Sequence, residues 1–188
     1  MIRVINSQKI NKNNLYFFSK FFAITLAAVL LNFPPARPDD KLALSSQAER
    51  FIDRGDNTIS DIQTGLMWIK QDSYLHKKRW MNWHDAHDYI KKLNEENYAN
   101  HSDWRIPGLE ELRSLYEKKK INSFQLGREM KIHIDPVFAK AGAGSLWSSR
   151  DNGRFNAYGI IFNNGKSFSQ SKKSKGRKAV RAVRNDFP

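Results

Sequence analysis

The stretch S-D-W-R-I-P-G-L-E-E-L-R-S-L, Ser102 to Leu115, forces a change of backbone at one position. A residue that precedes proline is pushed out of the α region, so Trp104-Arg105-Ile106 reads as extended. Beyond Pro107, Leu109, Leu112 and Leu115 recur at helical spacing. Glu110 and Glu111 lie in the first turn and Lys118, Lys119 and Lys120 at the far end, charges that suit both poles of a helix dipole. Gly108 is a weaker N-cap than serine or threonine. The spacing therefore predicts a strand-to-helix corner with Trp104 and Ile106 turned inward. Arg105 is expected to pair with an acid such as Asp103 or Glu111.

The flanking segments fit around that corner. Asn82 to Asn94 places Trp83, Ala86, Ile90 and Leu93 on one helical stripe, with Asn82 and Asp85 spaced as a capping box. Two short strands are predicted upstream, around Gly55-Asp56-Asn57 and Thr64-Gly65. From Ile134 onward the chain is strand-like, and Asn164-Gly165 signals a hairpin of the type that takes positive φ at both residues. Strands, two helices, then strands predict an α+β domain with two helices packed on a small antiparallel sheet. At 188 residues one core is expected.

The first residues read differently. Arg3, Lys9, Lys12 and Lys20 precede the apolar run Phe21 to Leu31, a secretory pattern too short for the ~20 residues of a comfortable span. Residues 1–33 are expected to be a signal peptide, or an uncleaved anchor because Pro34-Pro35-Ala36 lacks a clean A-x-A site. The proline-rich residues 34–48 read as a linker, and the domain is expected over 49–186. The expected location is the periplasm, the outer surface or the medium, with membrane contact only through an uncleaved N-terminus. The formal net charge is +13 and Cys is 0, so disulfides and thiol chemistry are excluded.

No catalytic signature is legible: there is no G-x-S-x-G, H-E-x-x-H or phosphate-cradling glycine loop, and neither an enzyme nor a cofactor is expected. His84 and His87, at i and i+3, could face a metal with His76 or His101, but read first as solvated flanks of the helix. Asp53, Asp56 and Asp61 read as turn-capping carboxylates because they do not match a calcium loop, and Arg54-Gly55-Asp56 falls in the same turn. No metal is expected.

The basic C-terminal stretch carries more information. Between Lys166 and Arg184 there are eight cations and no acid, interleaved with serines. If Lys166–Phe168 and Lys178–Arg184 are adjacent strands, the loop between them projects Lys172, Lys173, Lys175, Arg177 and Lys178. Those five are the expected contacts for an anionic polysaccharide or other cell-surface polymer. Trp80, which follows Lys77-Lys78-Arg79, and Lys118 to Lys120 are possible extensions. Nucleic acid would suit the charge but not export. An envelope protein partner, with the loop merely solvated, is the alternative.

Taken in order, R-F-I-D-R-G-D-N-T-I-S-D-I-Q-T-G-L-M-W, N-W-H-D-A, S-D-W-R-I-P-G-L-E-E-L, I-D-P-V-F, L-W-S-S, N-N-G and V-R-A-V-R resemble the Lcl C-terminal domain family of bacterial exported proteins, from about Arg50 to Arg184. The resemblance implies a C-type lectin-like fold with a twisted antiparallel sheet. In the collagen-like adhesin that names the family, the domain binds sulfated glycosaminoglycans as a trimer. Members often carry a cysteine in the first helix and another in the last strand, and the matching positions here are Ile90 and Ala182. This chain has neither the collagen-like repeat nor the Glu-Pro-Asn or Gln-Pro-Asp triplet of calcium-dependent lectins, so calcium-mediated sugar binding is not implied.

Overall fold

The computed structural model describes residues 49–125 and 129–187. The expected signal peptide or anchor and the linker lie outside the described residues. The described residues from Glu49 onward form a compact unit.

Around Gly55, which has φ of 79°, the chain reverses between β1 (Phe51–Asp53) and β2 (Thr58–Asp61), and around Gly65 it reverses again into β3 (Leu66–Ile69). The upstream segment thus holds three short strands rather than two. The last strand, β9 (Val183–Asn185), pairs antiparallel with β3, so the sheet order is β1-β2-β3-β9 and the two ends of the domain meet in one sheet. A second sheet joins β4 (Ser123–Phe124) to β5 (Lys131–Ile132). A third, β6 (Ser145–Asn152), β7 (Asn156–Ile161) and β8 (Ser167–Ser171), is a meander with order β6-β7-β8.

Three α-helices complete the described residues: α1 (Ser73–Lys77), α2 (Trp83–Glu95) and α3 (Leu109–Ser114). The architecture is mixed α and β with antiparallel sheets, but the expected small single sheet is three sheets. The second expected helix is also shorter than its pattern. It ends at Ser114, so Lys118 to Lys120 lie in the turn beyond it rather than in its last turn. The 13-residue α2 begins as expected: Asp85 N–H donates to Asn82 Oδ1 at 2.8 Å and Asn82 N–H to Asp85 Oδ2 at 3.1 Å. Asn164-Gly165 does close a hairpin, yet only Gly165 takes positive φ, because the turn holds four residues between Ile161 and Lys166.

The Trp104 corner binds these parts together. The side chain of Asn94 in α2 brackets Trp104 as a strand partner would, accepting from its N–H at 2.8 Å and donating to its carbonyl at 2.9 Å. Arg105 exchanges both backbone hydrogen bonds with Val183, and the Pro107 carbonyl accepts from Ser149 N–H. Trp104 and Ile106 are buried as expected, and Arg105 grips Glu111 through two bonds of 2.7 Å. Glu111 also accepts from Gly108 N–H, so a carboxylate three residues on does for this N-terminus what a glycine side chain cannot. Asp103 turns instead to Arg184, at 2.6 Å.

Two apolar clusters flank the third sheet. One gathers Phe51, Trp68, Leu112, Phe138 and Ile160; the other gathers Met81, Leu93, Trp104, Trp147 and Ala157. Ile90 and Ala182, the positions that the resemblance matches to cysteines, are both buried in the second cluster. Between the layers Arg181 and Asp72 are both buried, 3.8 Å apart.

Candidate functional site

The basic loop follows β8, but its other end does not return to the same sheet. Because β8 pairs with β7 while β9 pairs with β3, residues 172–182 cross from the third sheet to the first. The expectation of adjacent strands on either side of the loop is therefore corrected. The crossing segment is anchored on the entry to α2: Trp83 N–H donates to the Lys172 carbonyl and Met81 N–H to the Lys178 carbonyl. Two indoles hold that entry on β6, Trp83 Nε1 donating to Ser148 O and Trp147 Nε1 to Met81 O.

This path sorts the five predicted cations. Lys173 and Arg177 are exposed and have no carboxylate within ion-pair distance among the described residues. Lys175 is exposed and lies 3.7 Å from Asp85, at the first turn of α2. Lys172 lies along the protein: its Nζ is 4.8 Å from the Trp83 ring centroid, donates to Gly153 O and approaches Asp151 at 3.4 Å. Lys178 departs furthest from the expectation. It is 5% exposed, donates to Gly176 O, and stands over the rings of Trp147 and Phe168. Burial pushes its ammonium pKa down. The reason is the crossing itself, which turns residues 178–180 inward, so Lys178 does not project with the others.

The extensions are likewise rearranged. Trp80 is half-buried, packed on the first apolar cluster and stacked on Tyr74 at 3.9 Å, so one face of its indole is covered. Lys118 and Lys119 are exposed, while Lys120 is held by Glu117 and Asp135. The neighbouring Tyr116 packs against Gly165, at the β7–β8 turn, the end of the meander opposite to Lys172. The structure thus does not bring Lys118 to Lys120 together with the loop.

It brings in arginines that the sequence left unmarked. The β6–β7 turn carries Arg154 and Phe155, and Lys172 N–H donates to the Phe155 carbonyl at 2.8 Å. The hairpin tip and the loop therefore form one crest. Arg150 and Arg154 are exposed, lying over the rings of Tyr158 and Phe155, and Phe155 is 71% exposed. Residues 150 to 155 show no cationic run, and only the bond between Phe155 and Lys172 sets the hairpin tip beside the loop. No local signal could have found them.

The other polar candidates have structural partners. Asp53, Asp56 and Asp61 each accept a backbone N–H in their turns, from Gly55, Thr58 and Gln63. Arg54 of the R-G-D triplet is taken by Asp186 through two bonds of 2.9 Å. His87 packs on Trp83 and His76 bonds to the Tyr89 hydroxyl, and no group of three metal-ligating side chains occurs among the described residues. Lowered carboxylate pKa values have the same structural origin: Lys70 holds Asp53, Arg184 holds Asp103 and Arg105 holds Glu111. No helix among the described residues is long and apolar enough to cross a membrane.

Compared with known families, the chain matches the Lcl C-terminal domain over residues 57–184. No curated protein matches the chain.

Proposed function

The chain belongs to the Lcl C-terminal domain family, and on that premise we propose that it is an exported, non-catalytic binding domain that holds an anionic glycan or other anionic surface polymer. The C-type lectin-like reading of its fold belongs to the same proposal. One observation carries it: the hydrogen bond from Lys172 N–H to the Phe155 carbonyl joins two segments into a single basic crest. Lys173, Lys175, Arg150, Arg154 and Arg177 are exposed in these two segments, and the nearby carboxylates, Asp151 and Asp85, each face a lysine already. Clustered charge of one sign raises the local concentration of a polyanion and speeds its capture, with an effect that salt screens. The serines between the cations and the exposed Phe155 provide hydroxyl and apolar contacts on the same ridge.

The test is retention of the full-length chain on immobilised heparin against a salt gradient. Lys173→Ala/Lys175→Ala/Arg154→Ala removes three exposed charges and no buried contact, and is expected to elute at clearly lower salt. Lys118→Ala/Lys119→Ala removes two charges from the far end of the meander and is expected to change elution less per charge. Elution of the triple variant together with the parent would refute the crest. Co-purification with an envelope protein under those conditions would then favour the interaction-module reading.

A further inference from the structure

Residues 176–178 of the crossing segment border a cleft of about 420 Å³, at the smaller end of the ~300–1,000 Å³ typical of small-molecule sites. Its floor follows from the register of the meander. Gly159 of β7 faces Phe168 of β8, so Gly159, Ile161, Phe168 and Gln170 share one side of the sheet. Gly159 is required there, since a Cβ would stand 2.4 Å from the Phe168 ring and 2.2 Å from the Leu146 carbonyl. That leaves an apolar floor of Phe168 and Ile161.

Two buried donors, on Gln125 and Lys178, border this floor. Gln125, 3% exposed, lines the cleft, and its Nε2 has no hydrogen-bond partner among the described residues. Its Oε1 lies close against Gly144, where a Cβ would approach it to 2.8 Å. A buried amide donor without a partner costs free energy that a bound acceptor would return. Lys178 lines the same cleft, 5% exposed, with the Gly176 carbonyl and the Ser174 hydroxyl as its hydrogen-bond partners and no carboxylate within ion-pair distance among the described residues. Arg177 stands exposed at the rim, with φ of 46°. That left-handed conformation is costly for a residue with a Cβ. A buried donor without a partner, a buried ammonium with no carboxylate beside it among the described residues and a strained arginine converge on one concavity.

We infer that this cleft is a subsite for a single anionic sugar residue, whose carboxylate or sulfate ester meets Gln125 Nε2, Lys178 Nζ and Arg177 while its ring lies on Phe168. Resting on the glycan reading above, the subsite adds what a crest of exposed cations lacks: a buried donor set with an apolar floor, able to distinguish a charged sugar from any other polyanion.

The experiment follows the Gln125 side-chain amide of the isotopically labelled full-length chain by NMR. The chain is titrated with glucuronate, N-acetylglucosamine 6-sulfate, uncharged N-acetylglucosamine and inorganic sulfate. Saturable movement of that amide with either charged sugar, and little with the uncharged one, is expected; which of the two acts tells carboxylate from sulfate ester. Gln125→Glu, which keeps the shape but replaces the donor with an acceptor, is expected to weaken binding at least tenfold. Arg177→Gly should weaken binding while raising the melting temperature, because glycine relieves the positive φ, so that loss of binding cannot be ascribed to unfolding. The subsite is overturned if neither charged sugar moves the Gln125 amide, if the uncharged sugar or bare sulfate binds as tightly, or if both variants bind as the parent does. Reduced heparin retention in the crest variant with no response at Gln125 would reject the subsite alone.

Discussion

Replacing Arg181 by methionine removes a charge from the middle of the fold and keeps most of the side-chain stem. Arg181 is 3% exposed, and its NH1 group donates to the carbonyls of Ile69 at 2.7 Å and Lys70 at 2.5 Å. NH2 lies 3.8 Å from Asp72, and the guanidinium stands 4.7 Å from the centre of the Phe138 ring. Burial works against its charge and the Asp72 carboxylate supports it. Removing one member of a buried pair typically costs ~3–5 kcal/mol, because the other charge is left unpaired. Here Asp72 keeps two backbone donors, Leu75 N–H at 3.0 Å and Ala143 N–H at 2.7 Å, which places the expected loss near the lower end, ~3 kcal/mol. With a urea slope of ~2 kcal/mol/M for a domain of this size, the unfolding midpoint should fall by ~1.5 M. Arg181→Met/Asp72→Asn should lose less than the sum of the two single losses, since the unpaired charge is gone, although the amide keeps an acceptor for only one of the Leu75 and Ala143 N–H groups. A midpoint lowered by less than ~0.5 M, or a double variant whose loss is the plain sum of the singles, would refute this account of the pair.

Two further outcomes test the packing and the ion pairs. Gly159→Ala places a methyl against the Leu146 carbonyl and the Phe168 ring, and overpacking of that kind costs ~1–3 kcal/mol or more, so thermal unfolding should drop by ~5–10 °C; a change under ~2 °C would mean the strands part freely. On acidification stability should fall in two stages. Burial lowers the His76 pKa, so the folded state resists a proton that the unfolded chain accepts, and loss begins as pH drops below ~6.5; carboxylates held low by Lys70, Arg50, Arg184 and Arg105 add a second loss below ~4.5. Denaturant midpoints measured from pH 7 to 3 should show both stages, with the first diminished in His76→Gln, and a midpoint that rises on acidification would contradict the sign.

The Trp104 corner, the capping of α2 and the leucine stripe of α3 were legible in the sequence because each is set within one or two helical turns. Pro107 restricts its neighbour, Asn82 and Asp85 cap each other, and Glu111 reaches back three residues to Gly108. The length of α3 was not legible. Lys118 to Lys120 fit a helix dipole, but the chain leaves the helix at Ser114, and Glu117 N–H donates instead to the carbonyl of His133, a partner 16 residues on. Sheet membership was hidden for the same reason: alternation marks β8 and β9 as strands without telling that one pairs with β7 and the other with β3.

By itself the sequence determined that the chain is basic, free of cysteine, built from short strands and two helical stripes, and similar to one family. Those properties reside in composition or in contacts between near neighbours. Only the tertiary structure decided which cations are available. Pairing β9 with β3 drives the segment after β8 across the meander, which buries Lys178, lays Lys172 along Trp83 and leaves Lys173 and Arg177 exposed. The β6–β7 turn, bonded through the Phe155 carbonyl to Lys172 N–H, then sets Arg154 beside the same segment, and residues 176–178 line the Gln125 cleft. Charge can be counted along a chain, but its exposure depends on residues far away in sequence.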